Sequence, residues 1–241
     1  MGNRILVLNG MSYAAALRGI GDATYQVGDL CKRPQDFCLV LFTGGEDVSP
    51  ILYGETSPKG QCWNNIKRDE MEKQVFEVAR LNNIPMAGIC RGVQFLNVMA
   101  GGRLMHHITG HGGSTHYMRL STGQTIRVNS LHHQMVIPHD KAEIIGVSRE
   151  RLSKIYVSVA DEPIEYMGAE VEAAIFPEIK AFGVQYHPEM MDERSEGYDF
   201  FHRMVKNALS LDWQTFITAY TEGLDDVKLV EVHDAYGAAG R

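Results

Sequence analysis

The stretch PMAGICRGVQFLN, residues 85–97, sets Cys90 between Gly88 and Gly92, with an apolar run before it and a helical pattern after it. Two readings of that cysteine stand side by side. Free cysteine is often a small hydrophobe in a core. Alternatively, a G-x-nucleophile-x-G turn lifts a reactive side chain onto a sharp bend between strand and helix. Glycines suit both flanks of such a bend, because the turn is crowded and can demand positive φ.

A thiol nucleophile needs a base, and the base needs a third group to orient it. Ten histidines compete for the role. His106, His107, His111 and His116 fall in a polar, glycine-rich connection that lacks nearby carboxylate or thiol ligands, so no metal is expected there. His139, His202 and His233 read as surface or helix residues. His187 differs, because it ends the apolar run AFGVQY and precedes Pro188, which biases its backbone away from helix, and then Glu189. If this strand returns beside Cys90, imidazole and carboxylate arrive together at its end, with Glu189 on one ring nitrogen and sulfur facing the other. Spacing alone leaves open whether His187 meets Cys90.

The elements that must position these groups read as an α/β fold. RILVLNG, DFCLVLFTGG and MAGIC are continuous apolar runs that stop at polar or glycine residues, as buried parallel strands do. MSYAAALRGIGD reads as a short helix and ATYQVGD as a further strand. The segment KRDEMEKQVFEVARLNNIP has helical spacing, with Asp69 and Glu72 placed like a capping box, and RGVQFLNVMAGG is a helix ending on glycines. Alternation of this kind predicts a doubly wound, mostly parallel central sheet flanked by helices, with ligands at the carboxyl ends of the strands. THYMRLSTGQTIRVNS and VEAAIFPEIKAFGVQYHPE predict an antiparallel β extension, followed by helices in SEGYDFFHRMVKNALSL and DWQTFITAYTEGL. One domain is expected over residues 1–224, with a weakly specified tail over 225–241.

The 241 residues carry a net charge of -7, with a pI near 5.8, which gives no global attraction to nucleic acid or anionic membrane. A small soluble substrate is expected. The four cysteines form no C-x-x-C pair and no disulfide scaffold, and no apolar stretch has the length of a membrane span. The expected location is the cytoplasm. No phosphate loop or dinucleotide fingerprint occurs, so no organic cofactor is expected.

Four motifs in order, FTGGEDVSPILYGE, GICRGVQFLN, VNSLHHQ and GVQYHPE, resemble the class I glutamine amidotransferases and, within them, the γ-glutamyl hydrolase-like branch. The branch marker is matched by Gly44, Gly45, Asp47, Val48, Pro50, Tyr53, Gly54 and Glu55. The resemblance implies a flavodoxin-like class I amidotransferase fold and a Cys90, His187 and Glu189 triad. It also implies an oxyanion hole from the backbone N–H groups of Gly45 and Arg91, and a substrate pocket with Gly44, Gln94, Ser130, Leu131 and His132. Residues 129–134 also admit a bland reading as a short packed helix.

The implied activity is hydrolysis of a γ-glutamyl amide through a thioester, releasing glutamate and an amine. Two alternatives remain: a glutaminase subunit that feeds ammonia to a synthetase or amidoligase partner, and a noncatalytic binding module. The oligomeric state is open, a homodimer being compatible. Lys59, Lys67 and Arg68 read as a solvated charged edge or as contacts for an acidic substrate tail. Residues 150–169 depart from the family pattern and read as an added hairpin, either a surface elaboration or a flap near the site.

Overall fold

The computed structural model describes residues 2–222; the tail expected from residue 225 lies outside them. In chain order the strands are β1 (Arg4–Val7), β2 (Asp22–Thr24), β3 (Phe37–Phe42), β4 (Met86–Ile89), β5 (Arg103–Met105), β6 (His107–Ile108) and β7 (Gly112–Leu120). They continue with β8 (Thr125–Leu131), β9 (Met135–Ile137), β10 (Glu143–Ser148), β11 (Tyr156–Val157), β12 (Pro163–Ile164), β13 (Val171–Phe176) and β14 (Ala181–Val184). The helices are α1 (Val27–Lys32), α2 (Ile66–Leu81), α3 (Arg91–Met99), α4 (Glu196–Ser210) and α5 (Trp213–Thr221).

Nine strands form the central sheet in the order β2-β1-β3-β4-β14-β13-β10-β7-β8. Pairings from β2 to β14 are parallel, and those from β14 to β8 are antiparallel. The expected antiparallel extension is therefore continuous with the parallel sheet. Separately, β6, β11 and β12 make a three-stranded sheet, so residues 150–169 do contain the expected hairpin.

Both faces of the parallel half are buried, and strand alternation sorts them. Ile5, Val7, Leu39, Leu41, Ala87 and Ile89 pack with Phe200, Phe201 and Met204 of α4 and Phe216 of α5. Leu6, Val40, Phe42 and Met86 pack with Val75, Phe76 and Ala79 of α2 and with Val93 and Leu96 of α3. The period of two along each strand thus feeds two helical layers.

Three local expectations change. MSYAAAL forms a 3-10 stretch over Met11–Leu17 rather than an α-helix. The strand expected in ATYQVGD is confined to the sheet edge at Asp22–Thr24, where it pairs three residues with β1, and α1 takes over from Val27. The N-cap of α2 is Asn65, whose side chain accepts the N–H of Arg68. Asp69 and Glu72 lie inside the helix, on its buried stripe with Val75, Phe76 and Ala79.

The join from β4 to α3 is tightly packed, backbone against backbone. A Cβ on Gly88 would lie 2.5 Å from the Val93 nitrogen and 2.6 Å from the Gly92 carbonyl carbon, and one on Gly92 would strike the Phe42 carbonyl. These are backbone atoms, so no side chain can swing away. Gly88→Ala is expected to cost about 1–3 kcal/mol through overpacking, measured as a lower urea midpoint at unchanged m-value; an unchanged midpoint would refute the close approach.

Candidate active site

Neighbouring parallel strands end at one edge, and that edge assembles the site. Ile89 of β4 lies opposite Val184 of β14, and Phe42 of β3 opposite Gly88. The chain after β3 supplies Gly44 and Gly45, the chain after β4 supplies Cys90, and the chain after β14 supplies His187. Sequence separations of dozens of residues thus become adjacent strand ends.

Cys90 has φ 53 and ψ -114, a conformation that L-residues rarely adopt, and it forms the N-cap of α3. Its N–H donates to the Val184 carbonyl at 2.8 Å, and its carbonyl accepts the N–H groups of Val93 and Gln94 at 3.1 and 3.2 Å. The strained residue is therefore held from both sides. The positive end of the α3 dipole also favours negative charge on sulfur.

His187 meets Glu189 on the same strand edge that carries Cys90. Its Nδ1 lies 2.7 Å from Glu189 Oε1, in a 3-10 turn begun by Pro188. Burial opposes the imidazolium, but hydrogen bonds to Cys90 and Glu189 outweigh it and raise the ring to a pKa of about 10. The His187 backbone is gripped by Asn129, whose Oδ1 accepts its N–H at 2.8 Å and whose Nδ2 donates to its carbonyl at 2.9 Å. On the other side, Gly44 leaves room for the His187 ring and the Tyr13 hydroxyl, which any Cβ there would hit. Burial and the nearby Glu189 and Cys90 push the Tyr13 phenol well above its ordinary range.

The glycine loop is held by Arg68. Its Nη2 donates to the carbonyls of Thr43 and Gly44 at 3.0 and 2.8 Å, and its Nε donates to Glu72 at 2.9 Å. A Cβ on Gly45, at φ +134, would overlap that guanidinium. Glu72 also pairs with Arg91, which in turn pairs with Asp69. Thus Arg68 is neither a solvated edge nor free for a substrate tail.

A cleft of about 250 Å³ opens over Cys90, bounded by Gly45, Arg91, Gln94, Leu131, His132 and Trp63 among others. Of the expected site residues, these five beside Trp63 share the cleft with Cys90, while Gly44 lies behind it against Tyr13 and His187. Ser130 turns away, its Oγ donating to the His111 carbonyl at 2.7 Å. Residues 129–131 finish strand β8, so the short-helix reading does not hold. Trp63 stands on the rim, 76% exposed. Asp47 fixes that rim, accepting the Trp63 N–H at 2.8 Å and lying 3.0 Å from His133 Nε2.

The expectation that the central histidines lack carboxylate and thiol neighbours is overturned. His106 is buried between Asp161, 2.8 Å from Nδ1, and Glu55, 2.9 Å from Nε2, with Cys62 beside it. His111 and His116 face Glu170 and Glu172. These partners come from distant segments, so proximity in sequence could not reveal them. All four cysteines are free thiols.

Asp161 sits in the turn of the added hairpin, where Ala160 and Asp161 both have positive φ. Its carboxylate accepts the Ser57 hydroxyl at 2.8 Å and the Lys59 N–H at 2.7 Å as well as contacting His106. The hairpin thereby latches residues 57–63, which carry Trp63 to the cleft. Removing this buried acceptor in Asp161→Ala is expected to cost about 2–3 kcal/mol. In a Trp213→Phe background it should also change acrylamide quenching of Trp63; identical stability and quenching would refute the latch.

Known proteins share the sequence pattern and the fold. The sequence pattern of peptidase C26 matches residues 35–189. The glutamine amidotransferase-like protein YvdE of Lactococcus lactis subsp. lactis is 32% identical over 117 residues, 40% of this chain and 50% of that protein, so the match spans half the relative's length. Protein NtpR of Enterococcus hirae is 27% identical over 188 residues, 67% of this chain and 72% of that protein. A glutamine amidotransferase structure from Thermotoga maritima superposes with a TM-score of 0.54 at 17% identity, covering 96% of each chain. Among the described residues no helix is long and apolar enough to cross a membrane. A family match running from β3 to Glu189, on a fold shared with a glutamine amidotransferase, makes this protein a member of the peptidase C26 family.

Proposed function

We propose that the protein is a cysteine-nucleophile hydrolase of γ-glutamyl amides, acting on γ-glutamyl amines or short γ-glutamyl peptides. The observation that carries the reading is a strained cysteine at a helix N-terminus, on the strand edge that also delivers a histidine oriented by Glu189. The resemblance of the glycine loop to the γ-glutamyl hydrolase-like branch supports the substrate class.

In this mechanism Cys90 Sγ attacks the γ-carbonyl carbon while His187 holds the proton. The developing oxyanion meets the N–H groups of Gly45 and Arg91, each such donor being worth about 100- to 1000-fold in rate. His187 then passes its proton to the departing amine as the C–N bond breaks, leaving a thioester. Water, deprotonated by the now neutral His187, attacks the thioester carbonyl; glutamate leaves and the thiol is restored. Gln94, Leu131 and His132 contact the glutamyl part in this reading, with Ser130 bracing them from behind. Arg68 and Asn129 act as positioning residues for the loop and the base.

The alternative of a glutaminase subunit calls for a partner to order the oxyanion loop. Here Arg68 of the same chain already holds the loop through two carbonyls, which supports activity of the isolated chain. Glutamate release by the purified chain, assayed on glutamine and a panel of γ-glutamyl amines and peptides, tests the reading. Cleavage of at least one amide is expected, falling at least about 1000-fold in Cys90→Ser. Silence on the whole panel from a folded protein would refute a self-sufficient hydrolase.

The pH dependence follows from His187. Its folded pKa is raised above the unfolded value, so its stabilising contribution is complete below the ordinary histidine range and is lost as pH rises through about 10. The same proton serves the leaving amine. Therefore kcat/KM should decline as pH passes about 10, and Glu189→Gln, which removes one of the groups holding that proton, should move the decline to lower pH. A descending limb indifferent to Glu189→Gln would remove Glu189 from the role.

A further inference from the structure

Beneath the cleft wall, in the antiparallel half of the sheet, lies a cluster of which the proposed hydrolysis uses only His132. Glu172 of β13 is fully buried, and three imidazoles converge on its Oε1: His111 Nδ1 at 3.3 Å, His116 Nε2 at 3.2 Å and His132 Nε2 at 3.6 Å. Neither Glu172 oxygen accepts a protein hydrogen bond, and neither His132 Nε2 nor either nitrogen of His116 has a hydrogen-bond partner. Buried polar atoms left in this state are uncommon, and each calls for a cause.

The outer nitrogens point to one. His132 Nδ1 lies 2.9 Å from the Gln134 carbonyl, which can only accept, so this nitrogen carries a proton and the lone pair of the neutral ring falls on Nε2, toward Glu172. His111 Nε2 lies 3.1 Å from Glu170 Oε2, which likewise directs the lone pair of the neutral ring to Nδ1. The Ser130 hydroxyl, 3.2 Å from that Nδ1, has given its proton to the His111 carbonyl and offers none. Such outer hydrogen bonds are how proteins orient histidine ligands and fix their tautomers.

Two imidazole lone pairs and a carboxylate oxygen thus share one small volume, an arrangement that repels itself unless a cation sits among them. We propose that His111, His132 and Glu172, with His116 bordering the fourth position, form a structural zinc-type metal site. Tetrahedral zinc with bonds of about 2.0–2.1 Å places its ligand atoms about 3.3 Å apart, close to the observed carboxylate-to-imidazole distances. Imidazole and carboxylate ligands without thiolate suit zinc. The charges of Glu172 and Glu170 together balance a divalent ion. The competing arrangement has no metal, with protons on the inner nitrogens neutralising the two carboxylates.

The role is architectural. The ligands come from the residue before β7, the residue after β8 and from β13, so the ion ties three segments. His132 and its acceptor Gln134 also border the cleft. The site shares His132 with the proposed substrate contacts, but its readout is metal content and not turnover, so the two readings can fail separately.

The test uses the full chain carrying Cys31→Ser, Cys38→Ser, Cys62→Ser and Cys90→Ser, which removes every thiol ligand. After chelation, the protein is loaded with zinc or cobalt(II), dialysed and analysed for metal. Retention of one equivalent is expected, with tetrahedral cobalt absorption, no thiolate band and a raised Tm. Glu172→Gln and His111→Gln should abolish retention, and Glu170→Gln, which touches only the outer nitrogen, should weaken binding about 10- to 100-fold. If these variants fail to fold, the cobalt spectrum of the parent decides. A folded parent that retains no metal, or retention indifferent to Glu172→Gln in a folded variant, would overturn the site in favour of the protonated cluster.

Discussion

The site depends on a buried ionic chain that runs from α3 to the glycine loop. Arg91 is 1% exposed and lies at the first turn of α3. A guanidinium in that position is tolerable only when carboxylates meet it, and Asp69 and Glu72 of α2 do so. Glu72 is shared with Arg68 and also accepts a hydrogen bond from Asn9 at 2.8 Å, while Asp69 accepts the Ser49 N–H at 3.0 Å. Charge satisfaction therefore fixes α2, α3, the end of β1 and both ends of the loop after β3 in one arrangement. Arg68 has no freedom to leave the loop without leaving Glu72 as well.

Against this fixed side, Cys90 and His187 are delivered by strand pairing. Parallel β4 and β14 end together, so Cys90 and His187 need no long reach to meet. The cost is concentrated at Cys90, whose positive φ is compatible with the fold because its N–H and carbonyl are both engaged and the flanking glycines admit the neighbouring backbone. Asn129 then supplies from the antiparallel half what the parallel half lacks, a two-point hold on the His187 backbone.

Legibility from sequence followed the range of the interactions. Continuous apolar runs marked the parallel strands, and the Gly88–Cys90–Gly92 spacing marked the elbow, because these signals are local. Pairing of Cys90 with His187 was proposed from residue types and strengthened by resemblance, since the relative placement of two strands is not written in either one. Asp69 and Glu72 looked like caps, yet their i,i+3 spacing in line with Val75, Phe76 and Ala79 put two charges on a buried stripe. That conflict was the available sign of a buried cation. The carboxylates around His106 and His111 arrive from residues 55, 161, 170 and 172, and nothing local announces them.

Strand β8 and the residues after it show how the antiparallel half reaches the cleft. Along a strand, successive side chains point to opposite faces, and residues 129–132 use both. Asn129 grips the His187 backbone and Leu131 borders the cleft, whereas Ser130 bonds inward to His111 and His132 directs Nε2 to Glu172. A displacement of this segment would move His187, the cleft wall and the buried histidine cluster together.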